Sequence, residues 1–524
     1  MLSLSQTPTL IEILVMKPQL TIIASLLASL TCPSIIYANE TKINGEVEID
    51  AKVTGGNANM SLAQYSSAKQ RIATISKSEV KDADIKVDIL GGTANIAAGK
   101  MSAAEMNVSS IKQSDVGGKV TTDTSVVGGL LNVSAGQLSY ANSSLDSVKN
   151  SSVDGAVKLK SDITGGTANL AVSQMTLADM NVNSVIGDSS VDGNASIDID
   201  LTGGVLNLAA GQASVAKADI TSVTNGSNIN GSLDVDENIV GGIVNIAAGT
   251  GTAALLKVTT VGDSDINGSV KVDSEAIGGI ANVAAGQLSV AIARTGSIVN
   301  GSEINGNAEV KSKIVGGIVN TAAGMGTVAH MNNSTIAKSE INGALELETD
   351  ITGTVTNVAA GQLAGAKISS GSITNNSELG GDAKLKTKIV GAVVNVAGGI
   401  GAGADLNSGS ISNTTIDGKA DVETDIRGAV VNAAGGLGAL AIANSGSLVR
   451  SDVGGNATAK TQVKGAVTNV AGGIAAYSQL NLGSTSRAEV DGNLELETDI
   501  NGACLLYTSP SPRDLSTSRM PSSA

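Results

Sequence analysis

One asparagine recurs along the chain at Asn59, Asn95, Asn132, Asn169, Asn207, Asn245, Asn282, Asn320, Asn357, Asn395, Asn432 and Asn469. Successive members lie 36 to 38 residues apart. Each sits in a variant of Gly-Gly-x-x-Asn-x-Ala-Ala-Gly, so one supersecondary unit has been copied about a dozen times. A fixed period of this size defines a solenoid, propeller or array rather than a globular domain with one unique core.

Within each copy apolar residues alternate with polar ones, as in Ala308-Glu309-Val310-Lys311-Ser312-Lys313-Ile314. Period two is the pattern of a strand with one buried face. No heptad or 3.6-residue period is sustained. Glycine pairs and Asn-Gly steps such as Asn305-Gly306 interrupt the short runs and supply the positive φ that sharp corners need. The pattern predicts an all-β chain folded as a parallel β-solenoid. The unit also looks doubled, because Gly286, Val290, Gly296, Ile298, Val299 and Asn300 return as Gly306, Val310, Gly316, Ile318, Val319 and Asn320. That echo predicts two coils of about 18 to 20 residues in each repeat. Roughly 24 coils would then make a rod on the order of 115 Å long at about 4.8 Å per coil.

Composition fits a narrow interior. Between Asn39 and Ala503 there is no proline, tryptophan, phenylalanine or cysteine. Val, Ile, Leu and Ala fill a thin core where large rings cannot, and proline would delete a ladder hydrogen bond in every rung it occupied. The recurring asparagine is expected to stack at the same corner of each turn, its amide bonding to the copies above and below and to local backbone.

Charge gives an independent indication of stacking. The strand preceding each glycine corner carries Lys311 and Lys313 in one repeat, Glu346, Glu348 and Asp350 in the next, then Lys384, Lys386 and Lys388, then Asp421, Glu423 and Asp425. Like charges piled in a column would repel, and the alternation removes that cost. Asp198, Asp200, Asp234 and Asp236 break the pattern in two adjacent repeats.

The ends differ from the array. Residues 1–38 read as an upstream segment and a secretory signal peptide starting at Met16: Lys17, an apolar run from Leu20 to Leu30, and a cleavage site after Ala38. A lipoprotein anchored through Cys32 is a weaker reading, since Thr31 and Pro33 flank it. Residues 39–503 are the tandem-repeat solenoid. Residues 504–524, from Cys504 to Ala524, share nothing with the array and read as a translated sequencing adapter. The array itself lacks cysteine, so its ladders rather than disulfides must hold it.

A formal net charge of -15 and a pI near 4.6 exclude the basic patch that phosphate binding requires, so nucleic acid is not an expected partner. The single histidine, His330, has no histidine or cysteine companion in the array and reads as a solvated surface residue. Carboxylate rows such as Glu346, Glu348 and Asp350 lack the nonapeptide by which calcium-binding β-rolls wrap their ion. The expectation is no enzyme, no cofactor and no metal. The exposed ranks read as charged with scattered threonines, which disfavours an ice- or mineral-binding face.

The unit Gly-Gly-Ile-Val-Asn-Ile-Ala-Ala-Gly at 241–249, with its relatives at 278–286 and 316–324, resembles the Gly-x-x-Asn-x-Ala-Ala-Gly core of subunits of Fap-type bacterial functional amyloids. The resemblance implies an exported, self-assembling biofilm fibre subunit of a Gram-negative bacterium. Its partner would be itself, end to end, with outer-membrane secretion machinery as a second. The chain departs from that family in its many contiguous repeats and few glutamines. More distantly it resembles filamentous-haemagglutinin-like β-helix adhesins, which implies the alternative of a surface rod that stays single.

Overall fold

A computed structural model describes residues 20–23, 37–39, 42–55, 57–61 and 65–508. Met16, Lys17, Cys32 and residues 509–524 lie outside the described residues. Among the described residues every regular element is a β-strand, and all pairings are parallel. The chain is a β-solenoid.

One turn shows how the sequence dictates the path. Strand β1, Leu233–Val240, buries Leu233, Val235, Glu237 and Ile239 and exposes the residues between them. Gly241 and Gly242 then turn the corner with φ of 130° and 79°. Each is needed twice over. A Cβ on Gly241 would stand 2.6 Å from the backbone nitrogen of Gly204 in the preceding turn, and one on Gly242 would stand 2.8 Å from the carbonyl oxygen of Gly278 in the next. Strand β2, Ile243–Thr250, follows, and a tip at Gly251 returns the chain as β3, Ala253–Gly262. Thr259, with φ of 49°, bends β3 and ends its in–out alternation, so residues 258 to 262 are all buried. The short β4, Asp265–Ile266, leads into the next turn. Equivalent strands of other turns take the same labels below.

The ladder corrects the two-coil expectation. Leu206, Asn207 and Leu208 pair with Val244, Asn245 and Ile246, and these pair with Ala281, Asn282 and Val283. One full turn therefore uses the whole repeat. Twelve asparagines joined by eleven links span on the order of 53 Å at about 4.8 Å per rung, about half the rod expected from two coils. The misleading echo has a structural reason. Ile298 and Val299 lie at the buried end of a β3 strand, whereas Ile318 and Val319 open a β2 strand. Similar short motifs mark two different positions of one turn.

Two cores run along the axis. The larger lies between β1 and the second half of β3 and holds Val235, Ile239, Leu256, Val258, Val261 and Ile266 with their copies above and below. The smaller is a thin alanine seam between β2 and the start of β3, containing Ala209, Ala216, Ala247, Ala254, Ala284 and Ala291. Alanine permits two strands to lie back to back with only a methyl from each side between them.

The outermost described strands belong to the same ladder. Leu20–Ile23 pairs with Val47–Asp50, and Cys504–Thr508 pairs with Val467–Ala471.

Candidate functional site: a polar ladder and two unlike faces

The recurring asparagine lies in the middle of β2, facing inward, and not at a corner. Its place follows from alternation: Ile243 and Ala247 point in, so Asn245 between them must as well. From Asn95 to Asn432 each copy is fully buried. The amides form one continuous chain. Asn59 Nδ2 donates to Asn95 Oδ1 at 3.0 Å, and the links continue through Asn132, Asn169, Asn207, Asn245, Asn282, Asn320, Asn357, Asn395, Asn432 and Asn469 at 2.7 to 2.9 Å. Nδ2 also bonds across the seam to β3. Asn245 Nδ2 lies 3.1 Å from the Ala254 carbonyl oxygen in its own turn and 3.0 Å from that of Ile292 in the next. The side chain thus clamps β2 to β3 and one turn to the next, with both of its N–H donors engaged inside the rod.

The outer face of β1 is the charged one. Stacking places opposite charges over each other: Lys313 lies 2.7 Å from Glu275, Lys384 2.7 Å from Glu346, Lys386 3.7 Å from Glu348 and Lys388 3.2 Å from Asp350. The hydrogen bond from Lys384 holds the Glu346 carboxyl below its ordinary range. The middle column alternates from Asp50 through Lys86, Asp123 and Lys160, and again from Asp273 through Lys311, Glu348 and Lys386. Between these stretches Asp198, Asp236 and Asp273 stack directly. Partial burial, then Asp273 and Asp198, push the Asp236 carboxyl up. Replacing Asp236 by lysine should stabilise the rod by up to about 1 kcal/mol at low ionic strength and by almost nothing in molar salt. Thermal unfolding at two salt concentrations measures both.

The outer face of β2 is the opposite. Its three outward positions are apolar in almost every turn: Ala94, Ile96 and Ala98; Leu206, Leu208 and Ala210; Val244, Ile246 and Ala248; Val394, Val396 and Gly398. From Ala58 to Gly472 these positions include no charged residue, and Thr321, Thr356 and Thr468 are their only polar members. The side chains remain part exposed, with Met60 at 50%, Val172 at 37% and Val319 at 41%. The expectation that all exposed ranks are charged is corrected here. The Gly-x-x-Asn-x-Ala-Ala-Gly motif carries the signal, since its variable positions next to the asparagine are Val, Ile, Leu or Ala in most copies, with Met60, Thr321, Thr356 and Thr468 the exceptions.

A third surface lies where the outer side of β3 meets the bend that follows it. Here charged groups are partly withdrawn from water but paired: Lys217 with Asp219 at 2.8 Å and Lys112 with Glu105 at 3.0 Å. With the Asn300 amide turned so that its oxygen faces the guanidinium, Arg294 donates to it through both terminal nitrogens at 2.8 and 2.9 Å. His330 belongs to this corner and is part-buried rather than solvated, its Nε2 lying 3.0 Å from Asn332 Oδ1. Burial, then the neighbouring Lys367 and Arg294, lower its pKa to about 4, so the ring is neutral at physiological pH. Among the described residues no three His, Cys, Asp or Glu side chains converge as metal ligands, and there is no helix long and apolar enough to cross a membrane.

No protein-family model, curated protein or solved structure matches the chain.

Proposed function

We propose that this chain is an exported, non-enzymatic bacterial structural protein that polymerises end to end into a cross-β fibre of an extracellular matrix, using no cofactor. The observation that supports this reading most is the uniformity of the register. Asn132, Asn169, Asn207 and Asn245 meet residue for residue, and so do the strands on either side of them. Each turn therefore offers the next one the same backbone donors and acceptors, the same inward amide and the same core profile. A strand edge that repeats this pattern of donors and acceptors is a template for pairing with another chain. The apolar leader beginning at Lys17 supports export, and the short motif shared with Fap-type subunits supports a biofilm role.

Incubation of the purified full chain is expected to give unbranched filaments with a meridional reflection near 4.8 Å, elongating faster when seeded with fragments of themselves. Rods that stay at the length of one chain at every concentration would reject end-to-end growth and favour the second reading, a single β-helical surface adhesin. The unbranched stack of near-identical turns suits that alternative as a stalk.

A further inference from the structure

We infer that the apolar outer face of β2 is a lateral interface by which two copies of this chain pair side by side. The inference stands on that face alone and does not require end-to-end growth.

Area is the first argument. Eleven rung spacings of about 4.8 Å and a width of four residues at about 3.3 Å give a flat apolar strip on the order of 700 Å² per rod. Two such strips brought together cover on the order of 1,400 Å², within the size of a stable specific interface. A strip this large and continuous is beyond what soluble monomers ordinarily leave uncovered.

Shape selects the occupant and its orientation. The three outward columns differ in size. The first carries larger residues at Leu131, Leu206 and Val319, where the third is small, at Ala135, Ala210 and Ala323; in the strand where the third is larger, at Val172, the first is small, at Ala168. A two-fold axis parallel to the rod reverses strand direction across the interface and keeps every rung at its own height. Leu131 then faces Ala135 of the partner subunit, Leu206 faces Ala210 of the partner subunit, and Val319 faces Ala323 of the partner subunit. The central column, with Leu170, Leu208 and Ile246, meets itself. Turning the second rod upside down would instead set large on large and small on small. The complementarity is therefore to a second, parallel copy in register, with sheets about 10 Å apart as in dry packed sheets.

Charge agrees with this geometry. The rods carry a net charge of -15 each, yet the strip contributes none of it, and the charged outer face of β1 lies beyond the Gly-Gly corner. Pairing should therefore tighten as salt screens the remaining repulsion.

The test measures mass and thickness together. Sedimentation equilibrium of the full chain should give twice the mass of one chain at micromolar concentration, and small-angle scattering should give a doubled cross-section. Combined L208K, I246K and V283K should weaken pairing at least 100-fold, with the strand signature in circular dichroism retained. A210L with A248L keeps the strip apolar and should still weaken it about 10-fold, because only the size match is lost. K386Q on the charged face should leave pairing unchanged. Wild-type rods that remain single, including rods that adsorb to zwitterionic lipid vesicles without pairing, would overturn the inference. So would a lysine variant that pairs like wild type. Filaments of single-rod thickness would refute pairing while sparing end-to-end growth, and short double rods would do the reverse.

Discussion

Replacing Asn245 by leucine should destabilise the turns on either side of it by about 3 to 6 kcal/mol. Two costs add. The first is polar. Asn245 accepts from Asn207 Nδ2 at 2.8 Å and donates to Asn282 Oδ1 at 2.7 Å and to the Ile292 carbonyl at 3.0 Å. Leucine leaves the Asn282 oxygen without a donor in a place no water reaches, at about 1 to 3 kcal/mol for each buried group so stranded. The second is steric. The seam beside Asn245 is lined by Ala247 and Ala254, and a branched side chain has no room to spread there, which costs about 1 to 3 kcal/mol more. Alanine at the same position isolates the polar part and should cost about half as much. The loss should also stay local, because stability in such an array is close to a sum of unit and nearest-neighbour terms. Amide exchange should speed up over residues 205 to 295 and remain unchanged beyond Asn357. Undisturbed protection at Asn207 and Asn282 in the leucine variant would show that the amide chain does not hold the turns together.

The architecture was legible because its causes are local and repeated. Alternation within Ala308–Ile314 and glycine pairs at each corner specify parallel strands before any tertiary contact is known. The number of turns was not so legible. A 20-residue echo and a 37-residue repeat fit the same letters, and what separates them is which strands face each other. That is decided by the bend at positive-φ residues, which are Asn183, Thr259 and Ser334 in some turns and Gly296, Gly371, Gly409 and Gly446 in others, so the usual mark of such a bend is only intermittent. The asparagine ladder was foreseeable from buried-polar logic, but its place in mid-strand follows only once Ile243 and Ala247 are known to point inward. The apolar strip on β2 was visible in the motif itself. It is easily passed over, because hydrophobic residues on both sides of a strand ordinarily mean burial on both sides.

Two carboxyls that sequence reading passed over make the rod's stability depend on pH in an unusual direction. Asp146 and Glu237 lie inside the larger core, where nearly every other position is apolar or hydroxylic. Thr124 donates to Asp146 at 2.6 Å and Ser161 also bonds to it; Thr259 and Ser274 surround Glu237. Burial outweighs these hydroxyls and raises both pKa values to about 7, from 3.8 for Asp146 and 4.5 for Glu237. The folded chain therefore keeps two protons that the unfolded chain gives up between about pH 4 and pH 7. Their contribution is complete at and below pH 4, falls as pH rises through that window, and is gone above it. The loss is on the order of 3 to 4 kcal/mol for each group. Carboxyls held below their ordinary range by lysine, such as Glu105 and Glu346, act in the opposite sense and weaken only on stronger acidification. Comparing variants isolates the buried pair. Asp146→Asn and Glu237→Gln should each match wild type near pH 4 and exceed it at pH 8, each raising the urea midpoint there and flattening the slope between. Asparagine is already accommodated at the position next in the stack, where Asn183 receives a hydrogen bond from Ser161 at 2.7 Å. Variants that gain nothing at pH 8 would mean that the two carboxyls ionise in the folded rod at their ordinary pH, and that water or a counterion enters the core to meet them.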